Sequence, residues 1–375
     1  MALELNRYFK YLKRGFFRKS KLNFLILYVT DKCNLSCQSC FFHQSLNTGN
    51  GLALPEYEKI AENAGKFSIL LLSGGEPFLQ NNLVEICSAF IDKCSIDSLL
   101  IPTNAALTEI VALKTEELLK KYPSVSISVN PSLDGLAAYH DKNRGQVGTF
   151  EKALKTIEKL CALKSRYSNL KIVVNSVMEE NNLDELRELT RFMRRFNIDF
   201  HDFEILRGDY KDKKMRRPSL DKIKTMHQLI LANRYWYLKR DAKKMKSRLV
   251  NSFIFLLEKA AIIGALKYSQ VFKEMALAGK RWPSPCPAGK GIAVIYPNGD
   301  YADCEIKKPS LNLKNFNCDF SRLRMAEEKA RQSGSGVKVN CACTHVCFIH
   351  AAQAADWKSF LKISYYYFKS RKFLI

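Results

Sequence analysis

Between residues 22 and 207, short segments rich in β-branched and aromatic residues alternate with longer amphipathic segments. Repeated βα units of this kind are typical of a parallel sheet whose strands are connected by helices. The pattern predicts six strands, at 23–30, 67–72, 98–102, 125–130, 171–177 and 199–206. It also predicts helices near 56–64, 83–93, 107–120, 150–165 and 183–195. The first half of the chain is therefore expected to be an α/β domain.

The alternation ends at Arg207, where we expect a domain boundary. Residues 208–281 are rich in Lys and Arg, have helix-forming character and carry no clear strand signal. From 282 to 350, Pro, Gly and Cys become frequent, which predicts a small loop-rich module that a metal holds together. A basic amphipathic segment (1–21) and an aromatic and basic tail (351–375) flank these parts.

The cysteines indicate metal binding rather than disulfide bonds. Of the 12 cysteines in 375 residues, three lie within 33–40 and six within 286–347. The sequence shows no secretory signal, and no apolar stretch reaches the roughly 20 residues that cross a membrane. We therefore expect a cytoplasmic protein, in which reduced thiols are available as metal ligands. Cys87, Cys94 and Cys161 lie in helix-like surroundings and are expected to be core residues.

Cys33, Cys37 and Cys40 directly follow the first predicted strand. In βα barrels the active site lies at the C-terminal ends of the strands. Three thiolates on a four-iron cluster leave one iron without a side-chain ligand, and such an iron can bind a cofactor or substrate. The alternative is a structural zinc held by the three cysteines and His43.

The second predicted strand ends in Gly74-Gly75-Glu76-Pro77. Paired glycines let the backbone approach a ligand closely, and a carboxylate beside them can receive an ammonium group. A Cys-x3-Cys-x2-Cys loop after strand one, followed by this motif after strand two, resembles the radical S-adenosylmethionine (SAM) superfamily. The resemblance covers about residues 22–207 and disfavours zinc. It implies a partial (β/α)6 TIM-type barrel followed by a small cysteine-rich auxiliary-cluster domain.

The resemblance implies that the three cysteines hold a [4Fe-4S] cluster whose fourth iron is chelated by SAM. An electron donor such as flavodoxin or ferredoxin would reduce this cluster. Cleavage of SAM would then yield a 5′-deoxyadenosyl radical that abstracts hydrogen from a substrate. By position, Gly74, Gly75, Glu76 and Pro77 match the motif that meets the methionyl amino group.

Further SAM-binding residues are implied at the ends of later strands. Asn104 belongs to a segment similar to the family's Thr-Asn-Gly turn, although Ala105 replaces the glycine. Ser132 and Asp134 match a Ser-Leu-Asp-Gly segment that lies near the ribose in the family. Arg207 is a candidate partner of the methionyl carboxylate, with a surface ion pair as the alternative.

One residue departs from the family pattern. Ser39 stands just before the third cysteine, where the family usually has an aromatic residue that contacts the adenine. Phe41 and Phe42 follow closely and are candidates for the same contact.

A second group of cysteines resembles the auxiliary-cluster modules called SPASM or twitch. Its members are Cys286, Cys304, Cys341, Cys343 and Cys347, with Cys318 as a sixth candidate thiol. The resemblance implies one auxiliary [4Fe-4S] cluster, held by Cys286, Cys304, Cys347 and either Cys341 or Cys343; structural zinc is the alternative. His345 is expected to orient or hydrogen-bond rather than to ligate.

The formal charge of +23 favours an anionic partner, which includes nucleic acid, phospholipid or a phosphorylated substrate. Leu5, Tyr8, Phe9 and Leu12 fall at helical spacing with basic residues on the other faces. Such a helix suits an anionic membrane surface at the inner face, or a helix that caps the core. A zinc-holding nucleic-acid-binding protein is disfavoured because the basic residues are spread out; RNA modification is the nearer rival.

An auxiliary cluster beside the barrel implies either an electron acceptor or an anchor for substrate. The resemblance points to peptide-modifying maturases and to dehydrogenases of alcohols or amino sugars. We therefore expect a small-molecule or peptide substrate. The basic segment 208–281 is expected to form the substrate platform, which makes a lipid-linked or phosphorylated substrate reasonable.

Overall fold

The computed structural model describes residues 22–49, 51–243, 248–333 and 343–370. The amphipathic segment 1–21, the end of the tail and Cys341 lie outside the described residues.

Six parallel strands form the first part of the sheet, and neighbouring strands pair in sequence order. They are β1 (Phe24–Thr30), β2 (Ile69–Gly74), β3 (Ser98–Thr103), β4 (Ser126–Pro131), β5 (Leu170–Met178) and β6 (Phe200–Ile205). Every residue of β1 is buried, as expected for a parallel strand covered on both faces. All six predicted strands are confirmed, each within two residues at either end.

Helices follow the strands and cover the outside of the sheet. They are α1 (Leu54–Asn63), α2 (Leu83–Cys94), α3 (Thr108–Lys121), α4 (Ala137–Arg144), α5 (Thr149–Arg166) and α6 (Leu183–Met193). On α5, Phe150, Ala153, Ile157 and Leu160 are buried at helical spacing, which explains why this helix could be predicted. The α/β partial barrel is thus confirmed.

Helix α4 was not predicted from the sequence. It is eight residues long, and its buried residues are His140, Asn143 and Arg144, all of them polar. A hydrophobic repeat therefore gives no signal here. The helix ends at Gly145, whose φ of 72° lies in the left-handed region that glycine tolerates.

The two edges of the six-stranded sheet are covered differently. Two long helices, α7 (Leu220–Lys243) and α8 (Arg248–Leu277), follow β6, and α7 packs against that strand. On the opposite edge, β7 (Ile292–Ile295) pairs parallel to β1. Two short antiparallel strands, β8 (Asp300–Ala302) and β9 (Leu311–Asn312), extend the sheet to nine strands.

The prediction that 282–350 is loop-rich underestimated its regular structure. β7 is buried at all four positions because it packs beside β1. Such a short apolar run could not be assigned to a strand from the sequence alone. Three further helices complete the described chain: α9 (Phe320–Gln332), α10 (Val346–Ala355) and α11 (Trp357–Ser370). Within the described ranges, no helix is both long enough and apolar enough to traverse a lipid bilayer.

Candidate active site at the barrel mouth

Hydrogen bonds fix the start of the cysteine loop that follows β1. The Asp31 carboxylate accepts hydrogen bonds from the Thr48 hydroxyl at 2.8 Å and from the Gly49 amide at 2.7 Å. The Asn47 side chain accepts from the Cys33 amide at 3.0 Å and donates to the Cys33 carbonyl at 3.3 Å. The segment 47–49, at the far end of the loop, therefore fixes the position of Cys33.

Helix α4 holds the second half of the loop. The Gln38 amide donates to the Asn143 carbonyl at 2.7 Å, and the Ser36 amide donates to the Arg144 carbonyl at 3.4 Å. The Arg144 guanidinium also lies 3.6 Å from the Cys37 sulfur. Arg144 therefore places a positive charge beside one of the sulfurs that are candidate iron ligands.

Cys33, Cys37 and Cys40 all line one cavity of about 400 Å³, so the structure brings the predicted cluster ligands together. Burial raises the pKa of the Cys33 and Cys40 thiols to about 11, so cluster binding must displace protons from them. His43 lines the same cavity. Over the described parts of the chain, no three His, Cys, Asp or Glu side chains are arranged to hold a single metal ion. The donor set and the cavity fit a cluster with three protein ligands.

The paired glycines pack directly against the cysteine loop. The Gly75 amide donates to the Thr30 carbonyl at 2.9 Å, and the Glu76 amide donates to the Lys32 carbonyl at 2.8 Å. A β-carbon at Gly74 would collide with the Thr30 carbonyl oxygen, and one at Gly75 would collide with that of Lys32. The motif therefore lets two strand ends meet without side chains between them.

Replacing Gly75 with alanine is expected to displace the cysteine loop, because the new methyl group would meet backbone rather than a flexible side chain. Overpacking of this kind typically destabilises a protein by about 1–3 kcal/mol. Iron content after anaerobic reconstitution should fall well below that of the wild type. Gly51→Ala is the matched control, since a β-carbon there meets nothing within 4 Å. Equal iron content in the two variants would contradict the prediction.

The Glu76 carboxylate is buried and joins the ends of β2 and β3. It accepts hydrogen bonds from the Thr103 hydroxyl at 2.8 Å and the Asn104 amide at 2.7 Å. Burial raises the pKa of Glu76 to about 7, although the hydrogen bonds from Asn104, Thr103 and Phe78 oppose the shift. Pro77 begins a short 3-10 turn after it. Glu76 thus fixes the ends of β2 and β3 relative to each other beside the cysteine loop.

Asn104 is linked to the cysteine loop. Its side-chain amide donates to the Asn34 side-chain oxygen at 2.8 Å. The next residue, Ala105, has a φ of 58°, which is the left-handed region. The turn therefore keeps the conformation that suits glycine even though alanine occupies the position.

Asp134 lies three residues after β4, and other residues of the protein occupy both of its carboxylate oxygens. One oxygen accepts from the Val177 amide at 2.9 Å. The other accepts from the Asn143 side chain at 2.7 Å and pairs with Arg144 at 2.8 Å. Asp134 therefore anchors α4, and through α4 the cysteine loop, while Ser132 beside it lines the large cavity described below.

Arg207 lies inside the barrel mouth rather than on the surface. It pairs closely with Glu204 and lies 3.6 Å from Glu305, and its side chain is only 15% exposed. Its guanidinium lies 4.9 Å from the centre of the Phe41 ring. The ion pair that the sequence analysis considered does exist, and it forms part of the wall of the site.

The Glu305 side chain is buried at this wall, although Glu305 was not among the predicted site residues. Its carboxylate accepts a hydrogen bond from Tyr28 at 2.6 Å and contacts the His345 ring closely. Burial alone would raise the pKa of Glu305, but His345, Arg207 and Tyr28 outweigh it and lower the pKa to about 2. Glu305 is therefore ionised and joins β1 to the C-terminal region. In the sequence, the one feature that could have pointed to Glu305 is its position next to Cys304.

The auxiliary cysteines are partly brought together. Cys286, Cys304 and Cys347 all belong to one apolar cluster on the β1–β7 face of the sheet. The Cys343 carbonyl accepts a hydrogen bond at 3.0 Å from the indole of Trp282, which packs against the same cluster. Cys318 lies instead in the main core, with its sulfur 3.7 Å from the Glu56 carboxylate on α1.

A cavity of about 580 Å³ lies inside the barrel, between the cysteine loop and Cys347 of the C-terminal region. Ser39 and Phe41 of the cysteine loop line it on one side, and Glu305 and Cys347 line it on another. The predicted SAM-site residues on its wall are Ser132, Asp134 and Arg207. On the β6 side, α7, α8 and α10 close the wall with Ile230, Arg234, Leu266, Val346 and His350.

The radical SAM family model matches residues 27–193, which include the cysteine loop, the paired glycines and the Asp134 segment. Residues 27–193 are therefore a radical SAM domain. Domains of this family bind a [4Fe-4S] cluster and SAM, and the cysteine loop of this chain supplies three thiols for such a cluster.

Individual relatives agree with this assignment. A GTP 3′,8-cyclase of Clostridium perfringens is 27% identical over 193 residues, which are 50% of this radical SAM chain. They are 56% of that enzyme, so the chain spans just over half of this relative's length.

Two solved structures share the fold. SuiB of Streptococcus suis bound to its precursor peptide SuiA has a TM-score of 0.55 at 18% identity, covering 86% of this chain and 68% of SuiB. Native anSMEcpe with bound AdoMet and a Cp18Cys peptide has a TM-score of 0.51 at 17% identity, covering 93% of this chain and 97% of anSMEcpe. The shared fold therefore extends beyond the matched domain.

Proposed function

We propose that this radical SAM enzyme abstracts hydrogen from a small-molecule or peptide substrate that enters the large barrel cavity. The observation that carries the proposal is the cavity itself, because it borders the cysteine loop, the Arg207 wall and Cys347 at once. A substrate bound there would lie between the cysteine loop, through Ser39 and Phe41, and Cys347. Peptide is included because SuiB, which shares the fold, was solved with a precursor peptide.

In this proposal Cys33, Cys37 and Cys40 hold the cluster. When bound, the reduced cluster and SAM supply hydrogen-abstraction chemistry through a 5′-deoxyadenosyl radical. Arg144 places a positive charge beside the Cys37 sulfur, and the close packing of Gly74 and Gly75 keeps the loop in place. An electron donor such as flavodoxin or ferredoxin would supply the one electron that reductive cleavage of SAM consumes.

SAM would lie along the ends of β2 to β6. Gly74, Gly75, Glu76 and Pro77 would meet its amino group, with Asn104 beside them. Ser132 and Asp134 would lie near its ribose. Arg207 would pair with its carboxylate, for which its planar guanidinium is suited, after exchanging one of its present carboxylate partners.

The substrate platform would be the wall formed by α7, α8 and α10. Arg234 of α7 stacks 3.3 Å from the centre of the Phe200 ring, and Asp202 and His350 line the same side of the cavity. This wall presents both charges and an imidazole to a bound molecule. It therefore favours a polar group at the end of the substrate that lies farther from the cysteine loop.

Residues 282–350 would form a SPASM- or twitch-like domain with one auxiliary [4Fe-4S] cluster. Cys286, Cys304 and Cys347 share an apolar cluster, and either Cys343 or Cys341 would supply the fourth thiolate. Because Cys347 also lines the large cavity, this cluster would be close enough to accept an electron from a substrate radical or to anchor the substrate.

The test of the proposed function is anaerobic reconstitution with iron and sulfide, followed by reduction in the presence of SAM. We expect 5′-deoxyadenosine to form even without substrate, at a slow rate. Purified, oxygen-protected protein that carries only zinc at the three N-terminal cysteines would overturn the proposal.

Replacing Cys347 with serine should distinguish the roles of the two proposed clusters. We expect the iron content to fall by about four irons per chain, because the auxiliary cluster loses a ligand. Formation of 5′-deoxyadenosine should continue, since the N-terminal cysteines are unchanged. Cys318→Ser is the control, because Cys318 lies in the main core and not with the other auxiliary cysteines. Loss of SAM cleavage in the Cys347 variant alone would contradict the assignment.

A further inference from the structure

Helix α11 is apolar on two faces. Ile363 and Tyr367 are buried against α8, with 9% and 4% of their surfaces exposed. On the other face Leu361, Tyr365 and Phe368 are 65%, 58% and 62% exposed. The second face therefore has no packing partner within the described part of the chain.

The three exposed residues form a continuous surface, which we call the α11 stripe. Their spacing of four and three residues places them above one another on one side of a helix. Single exposed apolar residues are common on soluble proteins, and Leu113 on α3, at 71%, is one of them. Three large ones in register form a patch of the kind that marks an interaction site.

Lysines flank the stripe. Lys358 and Lys369 fall beside it on one side, given about 3.6 residues per turn. Lys362 lies on the same side, with its ammonium group 5.5 Å from the Tyr268 ring of α8. Lys369 extends its ammonium group to 5.9 Å from the Tyr365 ring. The helix contains no Asp or Glu. The face is thus apolar along its centre and cationic along its edge.

We propose that the α11 stripe binds the surface of an anionic membrane. Leu361 and Phe368 would enter the boundary between headgroups and acyl chains, with Tyr365 at the interface. The lysines would extend their alkyl stems along the bilayer and place their charges at the lipid phosphates. At 14 residues the helix is too short to cross the bilayer, so it lies in the plane of the surface.

Charge favours a membrane over a protein partner as the occupant. The lysines and the formal charge of +23 both complement anionic lipid, and no acidic side chain on α11 opposes this attraction. A second copy of the same basic chain would place these lysines against one another. The proposal does not depend on the radical chemistry, so each can fail without the other.

The test is flotation of the full-length, reconstituted protein with lipid vesicles. We expect it to float with vesicles of equimolar phosphatidylcholine and phosphatidylglycerol, and much less with phosphatidylcholine alone. The variant Leu361→Ser/Phe368→Ser should bind the anionic vesicles about tenfold more weakly or worse, because two large side chains no longer enter the bilayer. Both positions are exposed, so the fold should be retained, which circular dichroism would verify.

Leu113→Ser is the matched control and should float like the wild type. High salt should weaken binding of the wild type, since part of the attraction is electrostatic. Flotation of the double variant at the wild-type level would overturn the proposal, as would a lack of binding to anionic vesicles. A concentration-dependent dimer that the double variant abolishes would assign the stripe to a second copy and also overturn it.

Discussion

Cys33→Ala is expected to lower the formation of 5′-deoxyadenosine by more than about 100-fold. Loss of a residue that only hydrogen-bonds to a metal ligand typically costs 10–100-fold in metal affinity or activity. Cys33 is proposed as a direct ligand, so its loss should cost more. The remaining two thiols of the loop, Cys37 and Cys40, are too few for a four-iron cluster that already lacks a fourth protein ligand. The measurement is 5′-deoxyadenosine per chain after anaerobic reconstitution and reduction with SAM.

The control for this variant is Cys161→Ala. Cys161 lies on α5 and packs against the main core, so its loss removes a thiol without changing the cysteine loop. It should retain the iron content and SAM cleavage of the wild type. If both variants cleave SAM equally, Cys33 is not a ligand and the proposed site is wrong.

Asp134→Asn is expected to destabilise the protein by about 3–5 kcal/mol, which is typical when one member of a buried ion pair is removed. The side chains of Arg144 and Asp134 are only 10% and 1% exposed, so Arg144 would be left as a buried charge without its counterion. Because α4 also holds the cysteine loop, iron retention should fall as well. Equilibrium unfolding in urea and iron analysis would measure the two effects.

Two further variants make this prediction specific. Glu109→Gln removes an exposed partner of Lys159, and such surface pairs contribute less than about 1 kcal/mol. The double variant Asp134→Asn/Arg144→Met should be less destabilised than the sum of the two single variants, because neither charge is then left alone. A similar loss of stability in Asp134→Asn and Glu109→Gln would refute the role of the buried pair.

Local sequence patterns were sufficient for the barrel. Each strand from β1 to β6 is marked by a short β-rich run between helical patterns, and these signals depend on neighbouring residues only. The cysteine loop and the paired glycines were found in the same way, because their spacing is local and they directly follow strands. Helix α4 could not be predicted because its buried residues are polar and give no hydrophobic repeat.

The six strands, the loop that carries Cys33, Cys37 and Cys40, and the cysteine-rich character of the C-terminal region could thus be predicted from local patterns. Three features could be found only in the folded chain: β7 pairs with β1, Glu305 meets Tyr28 across 277 positions, and one cavity lies between the cysteine loop and Cys347. These contacts join segments that are far apart in the chain. No local periodicity records which distant residue a buried charge or a strand edge will meet.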